Sequence, residues 1–147
     1  MENIEIRLLK REDFDTIVKI DEKITGENRS DYYKRKFLHK DAESRIGTSL
    51  IALVEGKPAG FLLADLFYGE YGIPDANAFV DTIGVDPAFR GKGVGFALMD
   101  QLKMNLKAAN ADKIYTLVDW NDGLLISFFQ RSGFVPSHRV SLECKVG

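Results

Sequence analysis

The chain has almost no redox or metal chemistry to offer. Its 147 residues include one cysteine, Cys144, and two histidines, His39 and His138. One thiol excludes an internal disulfide, and two scattered imidazoles make no ligand cluster, so no metal is expected. Long apolar runs are missing as well: none reaches bilayer-spanning length, and the opening MENIEIRLLKRED is too charged for a signal peptide. A cytoplasmic chain with no membrane partner is the expectation. Neither sign of charge dominates, the formal net charge being -2, so no global field draws the chain to nucleic acid. Any anion must therefore be held by a local arrangement. No repeat, low-complexity tract or linker interrupts the sequence, which suits a single domain over 1–147.

What is there is an ordinary globular balance, 45% apolar and 29% charged, patterned as mixed α/β. Ile4, Ile6 and Leu8 alternate with charged residues as a first strand. Phe14, Ile17, Val18 and Asp21 share a helical face that Gly26 ends. Ser30-Asp31 cap a second helix, DYYKRKFLHKDAE, with Tyr33 and Phe37 apolar and Tyr32 beside them. Adjacent residues cannot share a helix face, so at most one of the two tyrosines is core. TSLIALVEGKPAGFLLADLFY reads as a hairpin about Glu55-Gly56-Lys57-Pro58, GEYGIPDAN as a loop, and AFVDTIGV as a fourth strand stopped by Asp86-Pro87. Val94, Ala97, Leu98, Leu102 and Leu106 stripe a helix out to about Ala109. DKIYTLVDW is a fifth strand, and Leu124, Leu125, Phe128 and Phe129 share one face of a short helix ended by Gly133. RVSLECKV closes as a last strand whose Val140, Leu142 and Cys144 form an edge open to pairing in a homodimer.

Between the fourth strand and the long helix lies Arg90-Gly91-Lys92-Gly93-Val94-Gly95. Glycines turn the backbone sharply and admit a ligand close to the main chain. The first N–H groups of a helix lack intrahelical partners, and the peptide dipoles add positive charge there. A strand feeding such a turn is an anion site suited to phosphate or pyrophosphate. Two familiar motifs fail. A P-loop requires Gly-Lys-Ser/Thr, whereas Gly93 follows Lys92; the dinucleotide fingerprint counted from Gly91 ends on Phe96, not glycine.

The segment VDPAFRGKGVG resembles the acyl-CoA motif of the GNAT superfamily, the acetyl-CoA-dependent N-acetyltransferases, written Gln/Arg-x-x-Gly-x-Gly/Ala. Arg90, Gly93 and Gly95 fill its defined positions, Val85-Asp86-Pro87 precede it, and Gly133-Phe134 fall where that superfamily has a late Gly-Phe. The order of elements matches over nearly the whole chain. The resemblance implies a splayed mixed sheet flanked by about four helices. It implies that amides of Gly91, Lys92, Gly93, Val94, Gly95 and Phe96 bind the pyrophosphate of coenzyme A. It further implies that the fourth and fifth strands part, leaving backbone near Ile83 and Val85 to pair with the pantetheine arm. The implied activity is acetyl transfer from acetyl-CoA to a primary amine, of a small molecule or a peptide, by direct attack.

That reaction needs an amine stripped of its proton, from a reference pKa of about 10.4 for lysine, and a donor for the thioester oxygen. Asp81 lies in the fourth strand at two-residue spacing from Ile83 and Val85, so it either takes the proton, directly or through water, or binds the ammonium; the alternative is a carboxylate in a polar corner of the sheet. Arg29, Tyr32, Tyr33, Glu70, Tyr71 and Asp119 are the candidates for acceptor contact. The superfamily's late Asn-x-x-Ala-x-x-Leu/Phe-Tyr-x-x-x-Gly-Phe places its proton-donating tyrosine at Phe129 here, which can pack against the pantetheine arm of the cofactor but cannot donate a proton. Water, or one of Tyr115, Asp119 and Ser127, serves the thiolate, or the step goes unassisted. A non-catalytic acyl-CoA sensor or partner module is the alternative that Phe129 favours, and a nucleotide-phosphate binder is a third.

Overall fold

In the computed structural model, which describes residues 3–38, 48–69, 72 and 75–147, the chain forms two compact units, Met1–Leu117 and Val118–Gly147. The first unit carries β1 (Ile4–Leu8), a 3-10 turn (Arg11–Asp13), α1 (Phe14–Thr25), α2 (Ser30–Leu38), β2 (Leu50–Val54) and β3 (Lys57–Tyr68). It continues through β4 (Ala76–Val85), a second 3-10 turn (Pro87–Phe89), α3 (Val94–Ala108) and β5 (Lys113–Thr116). The sheet order is β1-β2-β3-β4-β5, antiparallel through β4, with β5 parallel to β4. The β2–β3 hairpin turns on Glu55 and Gly56, both at positive φ (49° and 78°), the backbone a two-residue type I′ turn requires.

Alternation assigns the two sheet faces. Ile51, Phe61 and Leu63 pack with Ile17, Val18 and Ile20 of α1 and with Tyr33 and Phe37 of α2. Leu50 and Leu62, paired across β2–β3, point to the other face, where α3 lies. Two glycines that carry no sequence motif set how close the helices come. A Cβ on Gly60 would meet the Gly84 carbonyl at 2.8 Å and Val94 Cγ1 at 3.1 Å; one on Gly84 would meet the Phe61 ring and Ile24 at 3.0 Å. Their missing side chains let the first turn of α3 seat on β3 while α1 closes on β4.

Three buried carboxylates tie the loops of this unit down. Asp13 receives both Arg7 guanidinium nitrogens at 2.9 Å and the Lys10 amide at 2.7 Å. Asp86, at the end of β4, receives Lys23 Nζ and the Ala88 amide, each at 2.9 Å. Asp21 is bound by Arg29 and Tyr33, as described below. The Arg7 hydrogen bonds hold Asp13 below its ordinary carboxylate value, against burial. Burial alone would raise Asp86 and Asp21, but the hydrogen bonds each accepts outweigh it and hold both low. Carboxyls depressed in the folded state contribute stability that is fully present above their unfolded pKa and lost as pH falls through the folded values. The melting temperature should therefore hold steady from neutrality down to about pH 5 and drop steeply below about pH 4. A melting temperature unchanged down to pH 2.5, about a unit and a half below the ordinary carboxylate value, would contradict this.

The second unit carries α4 (Gly123–Arg131). Asp122 caps it, its Oδ1 accepting the Leu125 amide at 3.1 Å, and the buried Phe129 ring stands edge-on to Phe128 and Phe134 at 5.3 and 5.0 Å.

Four expectations need correction. The fifth strand ends at Thr116 rather than Trp120, because Leu117 and Trp120 are exposed and have no face to bury. The helix expected to be capped by Ser30-Asp31 instead takes Ser30 as its first residue, with Asn28 Oδ1 accepting the Ser30 amide at 2.9 Å. Leu124 is exposed, so Phe129 carries the buried face of α4. The last strand does not form: residues 139–147 have no strand or helix. Alternation says which face a strand would bury, but not that a neighbouring strand is there to receive it. His39, Glu70, Tyr71 and the end expected for the second helix lie outside the described residues.

Candidate active site

Everything distinctive about β4 happens at Asp81. Along β3, Leu63 faces Thr82 and Ala64 faces Val80, so Asp81 is the extra residue of a bulge. The parallel ladder to β5 also stops there: Val80–Thr116 is its last pair, sealed by the Thr116 hydroxyl donating to the Val80 carbonyl at 2.9 Å. Ser49, fully buried, supports the bulge from the β3 side by accepting the Ala64 amide at 3.0 Å. Bulges re-aim side chains and end pairing, and they gather beside active sites. The bulge also takes Asp81 out of the strict two-residue alternation with Ile83 and Val85 that the sequence suggests. Beyond it, among the described residues, Asp81 to Val85 have β3 on one side and no strand on the other.

The Asp81 carboxylate is not open. Lys36 of α2 donates its ammonium to Oδ2, with the two side chains only 16% and 23% exposed. The same ammonium lies 4.6 Å from the centre of the Tyr32 ring, one helical turn earlier. Arg29 also lies against that ring, its guanidinium carbon 4.9 Å from the centroid. Arg29 in turn grips Asp21 with Nε at 2.9 Å and Nη2 at 2.7 Å, and the Tyr33 hydroxyl donates to Asp21 at 2.8 Å. Burial, then the Asp21 carboxylate, push the Tyr33 phenol well above its ordinary value, so it stays a donor. Two carboxylate–cation pairs, Asp21–Arg29 and Asp81–Lys36, are thus joined through the Tyr32 ring into one chain of contacts from α1 across α2 to the bulge.

Of the expected acceptor contacts, Tyr32 lies at the surface beside Lys36 and Asp81. Tyr33 is fully buried, so it shapes the site through packing and its bond to Asp21. The Arg29 charge is committed to Asp21. Lys36 is the residue sequence reasoning missed, although its place four residues after Tyr32 on one helix face was a usable signal. Asp119 and Phe129 belong to the second unit: Asp119 is exposed, its carbonyl accepting the Asp122 amide at 3.0 Å, and Phe129 sits in the aromatic cluster.

The glycine turn has the backbone pattern of an amide cradle. Asp86 starts it, Arg90 is extended, and Gly91 and Gly93 both take the left-handed conformation at φ 78° and 82°, the second being the N-cap of α3. Left-handed residues interleaved in a turn swing successive N–H groups toward one concavity, the geometry of an anion nest. A Cβ at either glycine would meet nothing within 4 Å, so the space above the cradle is open and the constraint is the backbone angle itself. Arg90 and Lys92 are exposed at its rim.

The comparisons with known proteins agree with this architecture. The family model described as acetyltransferase (GNAT) matches residues 14–134, and the chain belongs to that family. A curated relative, mycothiol acetyltransferase of Beutenbergia cavernae, is 31% identical over 98 residues, 66% of this chain and 32% of its own length. The chain therefore spans about a third of that relative. Among solved structures, the ribosomal-protein-alanine N-acetyltransferase of Brucella melitensis biovar Abortus 2308 superposes with a TM-score of 0.78 at 19% identity, covering 99% of this chain and 100% of that one. The aminoglycoside N-acetyltransferase AAC(6')-Iy, solved with CoA, gives 0.77 at 18% identity, covering 99% and 96%. At such identities the likeness shows the fold, which is that of the GNAT acetyltransferases. No helix among the described residues is long and apolar enough to cross a membrane.

Proposed function

We propose that the chain is an acetyl-CoA-dependent N-acetyltransferase acting on a primary amine, with a cytoplasmic location. The observation that carries the reading is the coincidence at one strand: β4 bulges and leaves β5 at Asp81, then runs toward the turn of Gly91 and Gly93 with one edge unpaired among the described residues. Acetyl-CoA supplies an activated acetyl thioester when bound. The residues fit it: the cradle suits a diphosphate, and the free edge at Ile83 and Val85 suits an amide-rich arm.

Of the two roles open to Asp81, holding the ammonium is the one supported by Lys36, the proton then leaving to water before the neutral amine attacks the thioester. That side chain already shows a primary ammonium seated between the carboxylate and the Tyr32 ring, and an acceptor amine takes its place. Lys36 is then an internal competitor. Replacing it by methionine should lower the KM for a diamine several-fold with kcat little changed, whereas Asp81→Asn should lower kcat/KM about a hundredfold. Steady-state thiol release with a panel of polyamines and lysine peptides measures both. Full activity of Asp81→Asn would contradict the assignment.

Phe129 favours a second reading, an acyl-CoA-binding module without turnover, because it brings no hydroxyl to the position where the superfamily has its tyrosine. The same assay separates the two: both bind coenzyme A and only the enzyme consumes acetyl-CoA.

A further inference from the structure

Lys36 is a primary amine standing beside the carboxylate to which the site brings one. Its Nζ donates to Asp81 Oδ2 and lies 4.6 Å from the centre of the Tyr32 ring, and its side chain is only 16% exposed. The ring is contacted in turn by Arg29, which Asp21 anchors, so the ammonium is held between fixed groups instead of sweeping through water. Lys34, two positions earlier on α2, is exposed, and that spacing turns it away from the face of Lys36. The two lysines share a helix and differ in their surroundings.

We propose that Lys36 is an acetyl acceptor of the chain's own reaction, and that its acetylation opens Asp81 to external amines. This rests on the acetyl-transfer reading of the site. A tethered amine competes at the effective concentration of an intramolecular group, which no dilute amine matches. The ammonium gives its proton to water and the neutral nitrogen bonds to the thioester carbonyl carbon. The C–S bond breaks with its electron pair leaving on sulfur, which takes up a proton from water. The product is a neutral amide, which cannot pair with a carboxylate as an ammonium does. Asp81, largely shielded from water, then lacks a cation, and an external ammonium restores it. The flexible stem of the acetylated side chain lets it swing out to solvent.

Peptide mass spectrometry reads the modification, after incubation with acetyl-CoA that bears an isotope-labelled acetyl group and with no amine added. Label should enter Lys36 ahead of Lys34, whereas uncatalysed acetylation favours the exposed amine and reverses that order. The rate per chain should not change with protein concentration. At subsaturating acetyl-CoA, Gly93→Val should slow labelling of Lys36 and leave that of Lys34 as it is. An acetyl group at Lys36 but not Lys34 in the chain as purified supports the proposal equally. Calorimetric titration with a diamine, without coenzyme A, reads the consequence. The acetylated chain and Lys36→Gln should bind several-fold more tightly than the parent, and Lys36→Arg, which keeps the cation, should not.

Labelling of Lys36 no faster than of Lys34, labelling that quickens with protein concentration, labelling unaffected by Gly93→Val, or diamine affinity unchanged by acetylation overturns the proposal. If added polyamines are acetylated while Lys36 is not, the proposal fails and the transferase reading stands. If coenzyme A binds and nothing is acetylated, both fail.

Discussion

Gly93→Val should lower the affinity for coenzyme A at least about tenfold, a loss of about 1.4 kcal/mol, while the protein stays folded. Gly93 sits at φ 82° as the N-cap of α3. A left-handed conformation costs an L-residue about 1–2 kcal/mol, and β-branching adds to it. The chain relieves that strain by rotating the peptide planes around residue 93, which turns the cradle's amides away from a common centre. Since a Cβ there meets nothing within 4 Å, sterics with the rest of the fold contribute little. The stability cost is therefore confined to the backbone term. Titration calorimetry of the variant, with a circular dichroism spectrum to show that it is folded, makes the measurement. Gly93→Ala should fall between it and the parent, because alanine tolerates positive φ better than valine.

The largest stability effect should come from Asp21→Ala. Its carboxylate accepts three hydrogen bonds, two from Arg29 and one from Tyr33, and is almost wholly buried. Removing one partner of a buried ion pair costs about 3–5 kcal/mol, and a buried hydroxyl left unpaired costs about 1–3 kcal/mol more. Arg29 is about a third exposed and regains water, which brings the expected sum down to about 3 kcal/mol. At the size of this chain that is roughly a 10 °C fall in melting temperature. The loss propagates: Arg29 no longer braces the Tyr32 ring, so Lys36 loosens on Asp81 and the variant should also show an altered KM for amines. A melting temperature within 2 °C of the parent, a shift worth only about 0.6 kcal/mol, would mean that the network is not a structural clamp.

The sheet and its helices were legible wherever periodicity coincided with a stop signal. The fourth strand ended at Asp86-Pro87 and α1 at Gly26, because proline and a left-handed glycine terminate elements by local sterics. The cradle was legible for the same reason, since its glycines answer to backbone angles. What escaped depended on partners distant in sequence. The bulge at Asp81 is a mismatch between two strands and has no signature in either alone. Lys36 reaches Asp81 across 45 positions, and Lys23 reaches Asp86 across 63. Gly60 and Gly84, lying in apolar runs, carry no motif, and only the approach of Val94, Phe61 and Ile24 gives them a purpose. The last segment failed in the opposite way: its alternation is clear, but residues 139–147 form no strand.

The account rests on the cradle at Gly91 and Gly93 gripping a diphosphate. Parallel calorimetric titrations with coenzyme A and with pantetheine, the same arm without its diphosphate, test this most directly. One coenzyme A per chain should bind, and pantetheine should bind far more weakly. Equal affinity for the two, or no heat with either, would contradict it.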